Sequence, residues 1–245
     1  MSGYTADSRL GRVVANEVDT IWQPRTPRVG TCGVVLLHGQ TSPRQFMDSA
    51  QLASVRLAAA LASAGIPCIA AEMHGNSWAN DQAMTDITTA WGVLKATYPA
   101  IRTDKLCAVG VSMGGALATR YAQLNPASVA AVVGIIPAYD PKAIYINNNV
   151  GDAAMEAAWG FSGLGAFPDA LDLGTKAALA SSVPLLTGYA SNDTVVPAAS
   201  VTAYHTAAGG DPANIIDLGA LDHTDAAIGA MPVTTIARFL VAHGA

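Results

Sequence analysis

The chain has 245 residues, of which 51% are hydrophobic and only 13% are charged. This composition suits one large, well-buried α/β domain and excludes a disordered chain or a set of small domains. The net charge is −5, and lysine and arginine together number 13. No basic surface is therefore available to neutralise phosphates, and we expect no nucleic-acid partner.

Export and membrane insertion are not expected either. No apolar run approaches the ~18 residues of a transmembrane helix, and residues 1–19 lack the basic-then-apolar pattern of a signal peptide, so we expect the chain to begin as written. Cys32, Cys68 and Cys107 fall at or inside strand-like runs, without Cys-x-x-Cys spacing. We interpret them as buried hydrophobes in a reducing, cytoplasmic compartment rather than as nucleophiles or metal ligands.

Strand-like runs alternate with longer amphipathic or alanine-rich stretches, which is typical of parallel strands joined by crossover helices. The predicted strands are 33–37, 67–71, 106–109, 129–136, 183–189 and 214–218. The predicted helices are 49–64, 81–98, 116–124, 198–208 and 225–242. Residues 11–22 are a candidate antiparallel edge hairpin. The segment 139–182, rich in glycine, asparagine and aromatic residues, is predicted to be a cap inserted into a single domain spanning 1–245.

The most informative motif is Gly-Val-Ser-Met-Gly-Gly at residues 110–115, directly between an apolar run and a helix-forming stretch. A nucleophile elbow needs this context, because a sharp strand-to-helix turn lifts the hydroxyl of Ser112 clear of the chain. Gly110 and Gly114 carry no Cβ to collide across the turn, and Gly115 lets the helix approach the sheet. The alternative interpretation is a plain glycine-rich turn.

A serine hydroxyl needs a neighbouring imidazole to accept its proton. Five histidines are present. His38 and His74 lie in turns after strands, His205 lies inside a predicted helix, and His243 lies near the chain end. His223 remains, in the loop between the last strand and the last helix, where loops at the carboxyl ends of parallel strands surround the elbow. We predict that His223 is the general base, the alternative being a histidine that caps a helix.

A carboxylate must hold the imidazole in one tautomer. Asp193 follows the strand 183–189 and gives the order Ser, Asp, His along the chain, so we assign it this role. Its alternative role is to cap the helix that begins near residue 197. Asp140 is the second candidate acid. Asp222 is less suitable, because adjacent residues in a loop seldom present the required geometry to each other.

Two backbone N–H groups are expected to bind the oxyanion of the tetrahedral intermediate. One is that of Met113, at the positive end of the elbow helix, and the other is that of Gln40, after the turn at 38–39. Their alternative roles are core filler and loop polar residue. We also expect His38 and Gly39 to contact the substrate.

Aromatic and apolar side chains in the predicted cap would give the substrate pocket an apolar wall. Trp159 and Phe161 are the predicted substrate-binding residues. The alternative is that these side chains only hold the cap on the body. The wall would consist of Trp159, Phe161, Phe167, Met155 and Tyr145. The two lysines of the segment, Lys142 and Lys176, are too few to indicate an anionic substrate.

On these motifs the chain resembles the α/β-hydrolase superfamily, particularly its small esterase, lipase and dienelactone-hydrolase-like members. The likeness covers nearly the whole length. Four pieces carry it, Leu-Leu-His-Gly-Gln at 36–40, the elbow at 110–115, Gly-Tyr-Ala-Ser-Asn-Asp-Thr-Val-Val-Pro at 188–197 and Leu-Asp-His at 221–223. The resemblance implies an α/β fold with a mostly parallel sheet of about eight strands, helices on both faces and hydrolysis through an acyl-enzyme.

Two departures from the family pattern limit the substrate prediction. Dienelactone hydrolases have cysteine where this chain has Ser112, which argues against a dienelactone. Glu-Met-His-Gly-Asn at 72–76 replaces a short Asp-Pro-Gly-type turn, where His74 either lines the pocket or caps the loop.

The predicted function is a serine carboxylesterase that acts on a small-molecule or lipid-like ester and needs no metal or organic cofactor. Thioesterase, acyltransferase, peptidase and cofactor-free haloperoxidase activities use the same residues and stay open, because fold and triad do not choose the acyl acceptor. A non-catalytic hydrolase-fold module is a third possibility. Homo-oligomerisation also stays open.

Overall fold

The computed structural model describes residues 9–14, 17–22, 27–40, 52–70, 72–147 and 152–244. Its eight strands form one sheet in the order β1-β2-β4-β3-β5-β6-β7-β8. The strands are β1 (Arg9–Val14), β2 (Glu17–Trp22), β3 (Cys32–Leu37), β4 (Cys68–Ala70), β5 (Arg102–Val111), β6 (Val129–Ile135), β7 (Leu185–Tyr189) and β8 (Ile215–Asp217). From β4 to β8 neighbouring strands are parallel, while β1 and β2 form an antiparallel hairpin at one edge. The mostly parallel sheet and the edge hairpin are confirmed.

Strands β3 and β6, and the second half of β5, are apolar because helices cover both faces of the sheet. Every residue of β3 and β6 is buried. Along β3, Val34 and Leu36 face one half of the core, and Val35 and Leu37 face the other half. Alternate side chains of β3 therefore pack into two hydrophobic layers, one on each face of the sheet, and neither face is exposed to solvent.

Eight helices are described. Helices α1, α7 and α8 cover one face of the sheet, and α2, α3 and α6 cover the other. Their bounds are α1 (Leu52–Ser63), α2 (Asp81–Thr97), α3 (Met113–Leu124), α4 (Pro141–Asn147), α5 (Asp152–Trp159), α6 (Ala198–Ala207), α7 (Asp225–Ala230) and α8 (Val233–Gly244). In the described part of the chain, no helix is both long and apolar enough to cross a bilayer.

The prediction of one continuous closing helix over 225–242 is wrong. Helix α7 ends at Ala230, and Met231 is extended, with φ −66° and ψ 121°. The cause is Pro232, which disfavours helical geometry at the residue before it and provides no N–H to continue the helix. The new helix α8 starts after Pro232, whose carbonyl accepts the N–H groups of Thr235 and Ile236 at 2.9 and 3.1 Å.

Between β6 and β7 the chain forms α4, α5 and three short 3-10 turns, in the segment predicted to be a cap. The turns span Leu164–Ala166, Asp169–Leu171 and Gly174–Ala180. Residues 148–151 of this segment lie outside the described residues. The apolar side chains of this segment that are buried in the core on the α2/α3 face include Tyr139, Ile144, Met155, Leu171 and Leu173.

Candidate active site

Ser112 stands at a sharp turn between the end of β5 and the start of α3. Its backbone has φ 52° and ψ −119°, a conformation that non-glycine residues rarely adopt. Hydrogen bonds on both sides hold it there. The N–H of Ser112 donates to the carbonyl of Ile135 at 3.1 Å, and its own carbonyl accepts the N–H groups of Gly115 and Ala138 at 2.8 and 2.9 Å. The predicted strand-turn-helix context is confirmed, with α3 beginning three residues earlier than expected.

Three glycines around Ser112 make this turn sterically possible. A Cβ on Gly110 would lie 2.1 Å from the carbonyl oxygen of Gly114, across the turn. A Cβ on Gly114 would lie 2.1 Å from the carbonyl oxygen of Leu37, and one on Gly115 would lie 2.4 Å from Cβ of Pro137. These distances confirm the predicted need for glycine. The helix α3 thereby approaches the ends of β3 and β6 more closely than a side chain would permit.

The structure brings together the three side chains that the sequence analysis selected. Nε2 of His223 lies 2.8 Å from Oγ of Ser112. On the other side of the ring, Nδ1 lies 2.7 Å from Oδ2 of Asp193. The carboxylate of Asp193 is 2% exposed and the imidazole of His223 is 14% exposed, so both bonds are largely shielded from water. Shielding strengthens such bonds because the local dielectric constant is low.

The direction of each hydrogen bond follows from the groups involved. An ionised carboxylate only accepts, so Nδ1 of His223 carries the proton and donates to Asp193. Nε2 of the neutral ring is then an acceptor, and the hydroxyl of Ser112 donates to it. Asp193 is held in turn, because its Oδ1 accepts the N–H groups of Val195 and Val196 at 2.9 and 2.7 Å. The arrangement can move a proton off Ser112 and stabilise the resulting positive charge on the ring.

Of the two predicted oxyanion donors, Met113 directly follows Ser112, and Gln40 follows Gly39, which lies beside Ser112. Met113 is the first residue of α3, where a backbone N–H has no partner inside the helix, while its side chain is fully buried. Gly39 lies on the other side, since a Cβ built on it would stand 3.4 Å from Cβ and 3.9 Å from Oγ of Ser112. Gln40 follows directly, and residues 41–51 lie outside the described part.

His38 is buried, with 2% of its surface exposed, and its Nδ1 bonds to the carbonyl of Gly39 at 2.8 Å. Burial lowers the pKa of His38, while the bond to Gly39 acts in the opposite direction. The neutral ring thus fixes the backbone next to Ser112. The predicted substrate contacts of His38 and Gly39 stay predictions.

The other candidate acids have different partners. Asp140 accepts the N–H of Ala143 at 3.0 Å through its side chain, which is an N-cap bond at the start of α4. The ring nitrogens of His223 bond to Asp193 and Ser112 and not to Asp222. Instead Oδ1 of Asp222 accepts the backbone N–H groups of Thr194 and His223 and the hydroxyl of Thr194. The sequence analysis missed these hydrogen bonds of Asp222. For Asp140 a signal was present, because proline directly after it is typical of the first residue of a helix and predicts that Asp140 is the N-cap.

The remaining histidines are engaged elsewhere. His74 bonds to Asp86 of α2 at 2.5 Å, which ties the loop after β4 to that helix. His205, in α6 as predicted, is buried and bonds to Thr187 and to the carbonyl of Asp211. His243 lies with its ring centroid 4.5 Å from that of Phe239. Of the five histidines, His223 is the one hydrogen-bonded to Ser112.

Trp159 and Phe161, the predicted substrate contacts, occupy different environments at the end of α5. The indole N–H of Trp159 donates to the carbonyl of Trp78 at 2.9 Å, and the guanidinium of Arg120 lies 4.9 Å from its ring centroid. Trp159 thus connects α5 to the body. Phe161 forms a half-buried cluster with Tyr145 and Phe167, each pair of centroids being 5.5 Å apart. Contact of Trp159 or Phe161 with a substrate stays a prediction. The two lysines of the segment are paired, Lys142 with Asp172 and Lys176 with Asp169.

An eight-stranded, mostly parallel sheet with a strained serine between β5 and α3 and a histidine after β8 defines an α/β hydrolase. A family model described as "Serine aminopeptidase, S33" matches residues 34–167, more than half of the chain. The chain therefore belongs to this family of hydrolases. No curated protein sequence matches it.

Solved structures agree on the fold. A fluorophosphonate-binding serine hydrolase, F, from Staphylococcus aureus has a TM-score of 0.71 and 16% identity, covering 95% of this chain and 97% of that one. A truncated carbohydrate esterase from gut microbiota has a TM-score of 0.72 and 14% identity, and the match covers 99% of both chains. An esterase from Pyrococcus furiosus has a TM-score of 0.69 and 14% identity, and the match covers 100% of this chain and 96% of that one. At such identities the likeness concerns the fold alone.

Proposed function

We propose that this hydrolase is a serine carboxylesterase, in which Ser112 is the nucleophile, His223 the general base and Asp193 the acid that orients it. The observation that carries the proposal is the continuous pair of hydrogen bonds from Ser112 through His223 to Asp193, at 2.8 and 2.7 Å. Distances of this size allow proton transfer without rearrangement. Esterases and a serine hydrolase of the same fold support the choice of an ester bond.

Acylation begins when Oγ of Ser112 attacks the ester carbonyl while Nε2 of His223 takes the hydroxyl proton. The tetrahedral intermediate carries its negative charge on the former carbonyl oxygen, to which the N–H groups of Met113 and Gln40 donate. Asp193 stabilises the imidazolium. When the carbon–oxygen bond to the alcohol breaks, His223 returns the proton to the leaving alkoxide, and the acyl group stays on Ser112.

Deacylation repeats these steps with water as the nucleophile. His223 takes a proton from the water as it attacks the acyl carbon, and the same N–H groups bind the second oxyanion. The intermediate collapses, the carboxylic acid leaves, and the proton on His223 returns to Oγ of Ser112. None of these steps calls for a metal or an organic cofactor.

We further propose that segment 139–182 acts as a cap over this site within one domain. It joins β6 to β7. In the sheet, β6 lies between β5, which precedes Ser112, and β7, which precedes the loop of Asp193. The half-buried cluster of Tyr145, Phe161 and Phe167 supplies apolar surface, which favours an acyl or aromatic group over a charged one. A cytoplasmic location also stays a proposal, consistent with three unpaired, buried cysteines.

Incubation with p-nitrophenyl esters and with a fluorophosphonate probe tests the proposal. The wild-type chain is expected to release p-nitrophenol and to be labelled on Ser112. Ser112→Ala should abolish labelling and lower kcat by about 10⁴- to 10⁶-fold. Ser200→Ala is the matched control, because that hydroxyl, in α6, donates to the carbonyl of Pro197, the residue before the helix. Label that persists on Ser112→Ala would overturn the assignment.

Peptide hydrolysis is the second candidate, and the family description favours it. An amide leaving group needs protonation by His223 more than an alkoxide does, so the same residues serve both reactions. Comparing kcat/KM for an aminoacyl p-nitroanilide with that for the p-nitrophenyl ester of the same amino acid separates the two. Adding alcohols or thiols as competing acyl acceptors, with product analysis, separates hydrolysis from acyl transfer.

A further inference from the structure

The loops that carry the acid and the base are joined by one carboxylate oxygen. Oδ1 of Asp222 accepts the backbone N–H of Thr194 at 2.9 Å, the hydroxyl of Thr194 at 2.8 Å and the backbone N–H of His223 at 2.8 Å. All three donors thus converge on a single atom. Asp222 and Thr194 are 28 residues apart along the chain, so this is a tertiary contact and not a local turn.

The position of this bridge is what makes it informative. Thr194 directly follows Asp193, and Asp222 directly precedes His223. The bridge therefore connects the two loops next to the bond between the acid and the base. The next connection between the loops is the bond from the N–H of Ser191 to the carbonyl of Gly219 at 3.0 Å, which lies further from both residues along the chain.

The charge of Asp222 is suited to this role. The backbone N–H groups of Thr194 and His223, followed by the hydroxyl of Thr194, hold the pKa of Asp222 below its ordinary value. The carboxylate is therefore ionised at neutral pH, and hydrogen bonds to an ionised acceptor are stronger than those between neutral groups. Asp222 and Thr194 are both exposed, so the bridge is expected to contribute little to global stability.

We propose that Asp222 is a positioning residue that sets the distance between His223 and Asp193 by fastening the histidine loop to the acid loop through Thr194. The inference rests on the proposed function of Ser112, His223 and Asp193. Asp193 is already oriented by the N–H groups of Val195 and Val196 within its own loop. Asp222 joins the histidine loop to the acid loop through the backbone N–H of His223 and the two donors of Thr194.

The test compares Asp222→Ala with Asp217→Ala. Asp217 is the matched control, since it is also exposed, lies five residues earlier at the end of β8 and accepts the N–H of Gly219, two residues further on, at 2.8 Å. Fluorophosphonate titration counts the active sites, so that kcat on p-nitrophenyl acetate is expressed per site. Asp222→Ala should lower this kcat by about ten- to a hundredfold at unchanged KM, because small displacements of a catalytic group have effects of this size. Asp217→Ala should leave kcat unchanged.

Conservative variants distinguish positioning from loss of folding. Asp222→Asn keeps an acceptor oxygen without the charge and should fall between wild type and Asp222→Ala. Thr194→Val removes one of the three donors and should lower kcat, and Thr194→Ser, which restores the hydroxyl, should recover it. The double variant of Asp222→Ala and Thr194→Val should lose no more than Asp222→Ala alone, because both changes break the same bridge.

A proton NMR spectrum tests whether the hydrogen bonds of Asp222 affect His223, and it needs no catalytic assay. The Nδ1 proton of His223, held by Asp193, is expected to give a strongly downfield signal that weakens or moves in Asp222→Ala and persists in Asp217→Ala. An unchanged signal, or equal kcat per site for the two alanine variants, would overturn the inference. If wild type neither hydrolyses esters nor reacts with the probe, the proposed function fails, and this signal still decides the role of Asp222.

Discussion

His223 and Ser112 are 111 residues apart in the chain, yet Nε2 of one lies 2.8 Å from Oγ of the other. The ring is fixed from behind by Asp193, which is 2% exposed. The buried carboxylate orients the ring, and in the proposed mechanism it also compensates the positive charge that develops on His223.

The acid is tested by comparing two asparagine variants. Asp193→Asn should lower kcat for p-nitrophenyl acetate by about 10⁴-fold, because an amide in place of the carboxylate favours the wrong tautomer of His223. Asp140→Asn should keep near-normal kcat, since its side chain caps α4 and asparagine is an equally good cap. Normal turnover in Asp193→Asn together with an inactive Asp140→Asn would reverse the assignment.

Backbone strain at Ser112 has a measurable consequence for stability. Ser112→Gly and Ser112→Ala both remove the hydroxyl, but only glycine adopts φ 52° without strain. The glycine variant should therefore be more stable than the alanine variant by about 1 kcal/mol in urea denaturation. At Ser200, inside α6, the order should reverse, with glycine less stable than alanine by about 0.5–1 kcal/mol. The same order at both positions would argue against strain at the elbow.

The close packing of the elbow is tested at Gly114. A Cβ there would lie 2.1 Å from the carbonyl oxygen of Leu37. Gly114→Ala should lower the free energy of unfolding by about 1–3 kcal/mol and should also remove most activity, since the turn must shift to admit a methyl group. Gly92→Ala is the control, because no atom lies within 4 Å of its Cβ position in the middle of α2. That change should increase stability by about 0.5–1 kcal/mol.

The stability of the protein should depend on pH through His38. Burial lowers its pKa below the ordinary value of 6.5 in the folded state, so just below pH 6.5 the unfolded chain binds a proton that the folded chain does not. The contribution of the neutral ring is therefore complete above pH 6.5 and is lost as the pH falls towards the folded value. Urea denaturation on both sides of that pH should show a smaller loss in His38→Gln than in wild type. An equal loss in both proteins would contradict this expectation.

The proposed cap is tested by its acyl-chain preference. Phe161→Ala should change the ratio of kcat/KM values along a series of p-nitrophenyl esters from acetyl to palmitoyl, because Phe161 belongs to the proposed apolar wall. Leu164→Ala is the matched control in the same segment, as this side chain is 48% exposed. An identical profile for wild type and Phe161→Ala would exclude Phe161 from the substrate pocket.

The features that sequence predicted are those with local signals. The elbow was predictable because strand, turn and helix signals are contiguous from residue 106 to 124, and its glycines are explained by contacts within that turn and with adjacent strand ends. The parallel sheet followed from alternation of apolar runs and helices. The position of His223 next to Ser112 followed from a topological rule, that loops at the carboxyl ends of parallel strands lie together.

The features that the sequence analysis missed depend on contacts between residues far apart along the chain, or on a local signal that was overlooked. The bridge from Asp222 to Thr194 joins two exposed loops, and neither residue type nor spacing indicates such a pair. The break between α7 and α8 is indicated by Pro232, a signal that the predicted helix over 225–242 did not take into account. The role of Trp159 required knowledge of where Trp78 and Arg120 lie.

The sheet positions of the two loops have a consequence for inactivation. Ser112 follows β5, whose last six residues are buried in the centre of the sheet, whereas His223 follows β8, a three-residue strand at the rim with no fully buried residue. Short, partly wet rim strands open at lower free energy than the centre. Mild heating should therefore displace His223 before the strand and helix around Ser112 unfold, and the proposed activity would be lost while most of the sheet is still folded.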